Sequence, residues 1–233
     1  MSALIMSPIA ANLQAVRHRI EAAARGAGRS ADSVLLVAVS KTFPHEAVRD
    51  AALAGQRDFG ENYVQEALEK IQALGDLDII WHYIGPIQSN KTRAIATHFD
   101  WVHSIDREKI ATRLSEARAP DVPELQVCIQ VNVSGEASKS GVAPEDVAPL
   151  AKKVATLPRL KLRGLMAVPE PTPDERSQRG RFAQLRRLRD ALNREGLALD
   201  TLSMGMSADL EAAIAEGSTM VRVGTAIFGE RKE

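Results

Sequence analysis

The chain has 233 residues, with 30 lysines and arginines against 30 aspartates and glutamates, 45% hydrophobic residues and a single cysteine. That length builds one large domain or two small ones, and an even charge with an ordinary apolar content argues against disorder and against a nucleic-acid partner. Cys128 has no second cysteine to pair with, no basic segment precedes the apolar residues of the amino terminus, and the longest apolar runs, such as 34–39, fall far short of a bilayer span. These features lead us to expect a soluble cytoplasmic protein with no membrane partner.

A leading helix is expected over 8–26. From residue 34 onward, short runs rich in β-branched residues alternate with longer stretches of helical character. The runs read as strands at 34–40, 57–60, 79–85, 101–104, 125–133, 160–167, 201–204 and 219–224. The stretches between them read as helices at 44–55, 61–74, 89–97, 106–118, 144–156, 174–195 and 208–216, with a short helical turn after the last strand. Eight βα units in a chain near the roughly 250 residues typical of the fold predict a single (β/α)8 TIM barrel, one domain over residues 1–233. A doubly wound open sheet is the competing architecture. It usually carries G-x-G-x-x-G after its first strand, whereas here Gly26 and Gly28 precede that strand and no third glycine follows.

In such a barrel the working groups sit at the carboxyl ends of the strands. Lys41 ends the apolar run 34–40, so it is either a lysine emerging into water or a partly desolvated amine able to form a Schiff base with an aldehyde. Ser207, after strand seven, and Gly224 and Thr225, after strand eight, stand where barrels of this kind commonly hold a phosphate; Ser207 alone would also suit a helix N-cap. Arg222 lies inside an apolar strand between Val221 and Val223 and needs an acceptor there, either a carboxylate such as Asp209 or an atom of a ligand. The five histidines show no metal-binding spacing and the single cysteine makes no thiolate cluster, so no metal is expected. The arginine-rich stretch 176–194 reads as a solvated helix face over a buried stripe of Phe182, Leu185, Leu188 and Leu192.

Six segments in order, 38–42 (AVSKT), 59–66 (FGENYVQE), 81–91 (WHYIGPIQSNK), 163–166 (RGLM), 203–207 (SMGMS) and 222–229 (RVGTAIFG), together resemble the pyridoxal phosphate homeostasis protein family over about residues 10 to 230. The resemblance implies a single-domain barrel of the alanine racemase N-terminal type that holds pyridoxal 5'-phosphate. By that resemblance, Lys41 would carry the cofactor as an internal aldimine. Ser207, Gly224 and Thr225, with the amide of Met206, would hold its phosphate, and Arg222 would face the pyridine nitrogen. Asn62 and Met166 would line the ring, with His82 and Ser203 nearby, and Lys139 matches a family lysine that receives or passes on cofactor. Many members carry a second lysine at position 43, where this chain has Phe43, which bears on any hand-off through that amine.

An arginine stays protonated beside the pyridine nitrogen, keeps that nitrogen unprotonated and weakens the ring as an electron sink. Racemases of this fold take a second base, a tyrosine, from an added β-domain, and this sequence runs only nine residues beyond Gly224. The expectation is therefore a monomeric pyridoxal phosphate-binding protein without robust turnover of its own. It would buffer the cofactor or deliver it to pyridoxal phosphate-dependent apo-enzymes. The alternatives are an amino-acid racemase and a Schiff-base aldolase.

Overall fold

A computed structural model describes residues 7–135 and 140–230. Eight parallel strands, β1 (Leu35–Val39), β2 (Asp58–Glu61), β3 (Ile80–Tyr83), β4 (Trp101–Ile105), β5 (Leu125–Gln130), β6 (Leu160–Met166), β7 (Thr201–Ser203) and β8 (Met220–Val223), close into a barrel in sequence order. The closing seam pairs β1 with β8 through Leu35 to Met220 and Ala38 to Val223. Helices α2 (His45–Leu53), α3 (Val64–Ala73), α4 (Thr92–His98), α5 (Glu108–Ala117), α6 (Val147–Ala155), α7 (Glu175–Arg194), α8 (Leu210–Ala215) and α9 (Thr225–Phe228) each follow a strand, and α1 (Pro8–Gly26) precedes them all. The expected (β/α)8 barrel is the observed one.

Alternation along the strands explains the layering. Leu36 and Ala38, Phe59, Trp81 and Tyr83, Val127 and Ile129, Leu165, Leu202, and Val221 and Val223 all join one continuous apolar cluster with the helices. The residues between them point the other way, into the barrel. Several of those are polar and buried: His82, His103, Gln130, Ser203 and Arg222. On α1, Leu13, Val16, Ile20 and Ala24 form a buried stripe at helical spacing, started by Ser7, whose hydroxyl accepts from the amide of Ala10 at 3.2 Å.

Six expected strands end short of their predicted carboxyl ends, β3 and β5 by more than one residue. Residues 84–85 leave β3 because Gly85 packs against the backbone of Asn62, where an added Cβ would stand 2.3 Å from the Asn62 carbonyl oxygen. Beyond β5, Val131 bridges Val142 and the amide of Asn132 donates to the Val142 carbonyl, so the run 131–133 leaves the barrel to pair with a returning loop. The strand expected over 201–204 ends at Ser203, ahead of the turn at Gly205. On α7, Phe182, Leu185 and Leu192 are buried and Leu188 is half-buried, while Arg179 and Arg186 reach Glu216. Among the described residues no helix is long and apolar enough to cross a membrane.

Candidate functional site

At the carboxyl mouth of the barrel a cavity of about 310 Å³ is lined by residues from six strand ends. Lys41, Asn62, Met206, Ser207, Arg222, Gly224 and Thr225 meet there, together with Val39, Phe43, Ile84, Val168 and Ala208. His82, Met166 and Ser203 do not line it; all three are fully buried inside the barrel. Lys139 lies outside the described residues.

Lys41 stands in a turn that several bonds fix. The Phe43 amide donates to the Ser40 carbonyl at 3.1 Å, and Thr42 takes a left-handed φ of 68°, which is costly for a β-branched residue. The cost is offset by a carboxylate, because the Thr42 amide donates to Glu66 Oε1 at 2.6 Å. Lys70, itself buried, donates Nζ to the Ser40 carbonyl at 2.7 Å, to Glu61 Oε1 at 2.7 Å and to Glu66 Oε1 at 2.5 Å. The Ser40 hydroxyl donates to the same Glu61 oxygen at 2.6 Å. Burial raises the Glu61 carboxyl against the pull of Lys70. Sequence reasoning missed this clamp. Its trace is the Glu66 and Lys70 pair, four apart on α3, and the Glu61 that ends β2.

Arg222 resolves the two readings of its acceptor. Its Nη1 donates to Ser203 Oγ at 2.6 Å and its Nη2 to the Ala167 carbonyl at 2.8 Å. Asp209 makes no ion pair with it among the described residues; Asp209 Oδ1 instead accepts the Met206 amide at 2.6 Å. Burial pushes Arg222 down to about 10, with the negative charge of Asp209 acting the other way, so the guanidinium remains protonated at neutral pH. Two of its five N–H groups are committed to protein acceptors, which sets the plane in which it faces the cavity.

The loop after β7 is held from outside. Arg19 of α1 donates Nη2 to the Ser207 carbonyl at 3.0 Å and forks onto both oxygens of Glu211 at 2.9 and 3.0 Å. Asp209, not Ser207, occupies the N-cap position of α8, so Ser207 is not a helix cap. The Met206 amide, already given to Asp209, is not directed at the cavity in this arrangement. Asn62 reaches the cavity with its Oδ1 buried and without a hydrogen-bond partner. Phe43 stacks on Phe228 of α9 with ring centroids 5.2 Å apart and closes one edge. The apolar liners Val39, Ile84 and Val168 carry no chemical signal of their own and were not legible in the sequence.

The profile of the alanine racemase N-terminal domain family matches residues 11–232. The chain is 63% identical over 226 residues to a Pseudomonas aeruginosa protein named pyridoxal phosphate homeostasis protein, covering 97% of each. The chain belongs to that family. A protein of the same name from Vibrio cholerae is 55% identical over 230 residues, covering 97% of this chain and 98% of the relative. Among solved structures, PipY of Synechococcus elongatus, determined with pyridoxal phosphate bound, is 38% identical and superposes with a TM-score of 0.84, covering 95% of this chain and 100% of that one.

Proposed function

We propose that this pyridoxal phosphate homeostasis family member binds pyridoxal 5'-phosphate in the barrel-mouth cavity and buffers it or passes it to apo-enzymes that require it. The observation that carries the reading is one cavity that brings together an amine, Lys41, and a protonated guanidinium, Arg222, at its walls. Its volume of about 310 Å³ falls at the small end of ligand sites. The buried, unpartnered Asn62 Oδ1 is an acceptor that fits a ligand bearing a hydroxyl donor.

When bound, the cofactor supplies an aldehyde that bonds reversibly to amines and a ring that can draw electrons from them. Lys41 would be the residue whose amine holds that aldehyde. Ser207, Gly224 and Thr225 supply hydroxyls and backbone groups for the phosphate. Arg222, protonated at neutral pH, would donate to a ring nitrogen bound against it and so keep that nitrogen unprotonated, which would mute carbanion chemistry. The tyrosines accord with a binding role. The Tyr83 hydroxyl donates to the Pro86 carbonyl at 3.0 Å, burial pushes it up to about 12, and neither Tyr63 nor Tyr83 lines the cavity.

The test is the visible absorbance of the purified protein with added pyridoxal phosphate, before and after borohydride, in the native chain and in Lys41→Ala. The native protein is expected to show a band that borohydride bleaches with covalent capture, and Lys41→Ala to lose both. A native protein that takes up no cofactor would overturn the reading, and capture undiminished in Lys41→Ala would move the covalent bond to another lysine.

A further inference from the structure

The polar interior of the barrel forms a single connected line. Arg222 Nη1 to Ser203 Oγ is 2.6 Å, Ser203 Oγ to His103 Nδ1 is 2.8 Å, His103 Nε2 to His82 Nδ1 is 2.9 Å, and His82 Nε2 to Asp58 Oδ1 is 3.0 Å. Ser203, His103 and His82 are fully buried, and the Asp58 side chain is 13% exposed. Asp58 begins β2 and borders a cleft at the amino-terminal end of the barrel, opposite the mouth where Arg222 stands.

The direction of every hydrogen bond follows from the two ends. A guanidinium only donates, so Arg222 occupies a lone pair of Ser203. The remaining partner of that hydroxyl is His103 Nδ1, so the Ser203 hydrogen goes there and His103 Nδ1 is the acceptor. A neutral imidazole with a bare Nδ1 carries its hydrogen on Nε2, so His103 donates to His82 Nδ1. His82 is left in the same tautomer and donates its Nε2 hydrogen to Asp58, an ionised carboxylate that only accepts. The line is satisfied at each step with both histidines neutral, and burial holds His103 well below the usual histidine range.

We propose that Ser203, His103, His82 and Asp58 are positioning residues, a one-directional hydrogen-bonded line that orients the Arg222 guanidinium at the cavity and couples it to a carboxylate at the far end of the barrel. The inference about the line stands on the protein alone. Its effect on a bound ring rests on the function proposed above. Cutting the line at Ser203 frees the guanidinium to turn, and changing Asp58 alters the acceptor at the other end without touching the cavity.

Two measurements separate these levels. In the unloaded protein at neutral pH, long-range nitrogen–hydrogen NMR spectra of the imidazoles are expected to show both His82 and His103 neutral with the hydrogen on Nε2. In Ser203→Ala the His103 ring nitrogens should shift, and in Asp58→Asn the signals of both histidines should move. A hydrogen on Nδ1 of either ring, or an imidazolium, would overturn the line whatever the protein binds. With pyridoxal phosphate added, Ser203→Ala is expected to weaken affinity about tenfold, the scale of one charge-assisted hydrogen bond. Asp58→Asn should shift the absorbance band, while the neighbouring Arg57→Gln should not. Correct tautomers with an unmoved band in both Ser203→Ala and Asp58→Asn would overturn the coupling to the cavity. Failure of the native protein to take up cofactor would leave the NMR result to decide the line.

Discussion

Lys41 owes its place to neighbours that never touch the cavity. Glu61 and Lys70 are buried, and together with Glu66 they hold the carbonyl of Ser40 and the amide of Thr42 on either side of Lys41. Removing the cation leaves a buried carboxyl without its partner, which typically costs about 3–5 kcal/mol. Lys70→Met is therefore expected to lower the unfolding midpoint sharply and to weaken cofactor uptake. Adding Glu61→Gln to it should recover much of the loss, because the surviving amide needs no counter-ion; thermal denaturation of the three variants checks this as a double-mutant cycle. Because burial holds the Glu61 pKa above its unfolded value, stability from this group is present at low pH and lost as pH rises, so the Lys70→Met defect should be larger at neutral than at mildly acid pH. Equal stability of Lys70→Met and the native chain would remove the clamp from the account.

At the scale of the element, β6 shows how backbone contact constrains side-chain choice. The register of β5 on β6 slips between Val127, opposite Leu162, and Cys128, opposite Gly164. The slip turns Arg163 outward, where it forks onto Asp200 and lies 5.0 Å over the Trp101 ring. Gly164 is then pressed on β7: a Cβ there would stand 1.8 Å from the Thr201 carbonyl oxygen. Gly164→Ala must part the two strands and is expected to cost about 3 kcal/mol or more, roughly 6–12 °C in Tm. Gly180→Ala, inside α7 with nothing within 4 Å of the added methyl, should instead stabilise by about 0.5–1 kcal/mol. Thermal unfolding of the two variants side by side distinguishes a glycine required by close approach from one that only weakens a helix.

On the scale of the whole molecule, the barrel buries polar groups where most barrels of this kind stack branched apolar residues. His103 carries the energetic consequence. Its folded pKa is depressed by burial, then by His82 and Arg222, while in the unfolded chain it titrates near its ordinary value of 6.5. Below that pH the unfolded chain takes up a proton that the folded chain refuses, so the contribution of His103 to stability is present above about 6.5 and lost as pH falls, by up to about 1.4 kcal/mol per unit. Denaturant unfolding at pH 7.5 and 5.5 should therefore show a smaller drop in His103→Gln than in the native chain. An identical drop in the two would mean that His103 is not held neutral.

The repeated βα rhythm and the ends of its apolar runs were enough to place the barrel, Lys41, and the loops of Ser207 and Gly224, because hydrophobic period and strand order are local properties of a chain. Asn62 came only through the family resemblance that the motif 59–66 helps to carry, and that resemblance said nothing of what Glu61 and Glu66 do there. Partners are another matter. His82, Met166 and Ser203 lie on strands whose following loops carry cavity residues, but they face the closed interior, and Arg222 finds its acceptors in Ser203 and Ala167, not in Asp209. Those assignments depend on which strands the closed barrel sets across from one another. Ser203 and His103 are 100 residues apart in the chain and 2.8 Å apart in the fold, a proximity that only barrel closure creates.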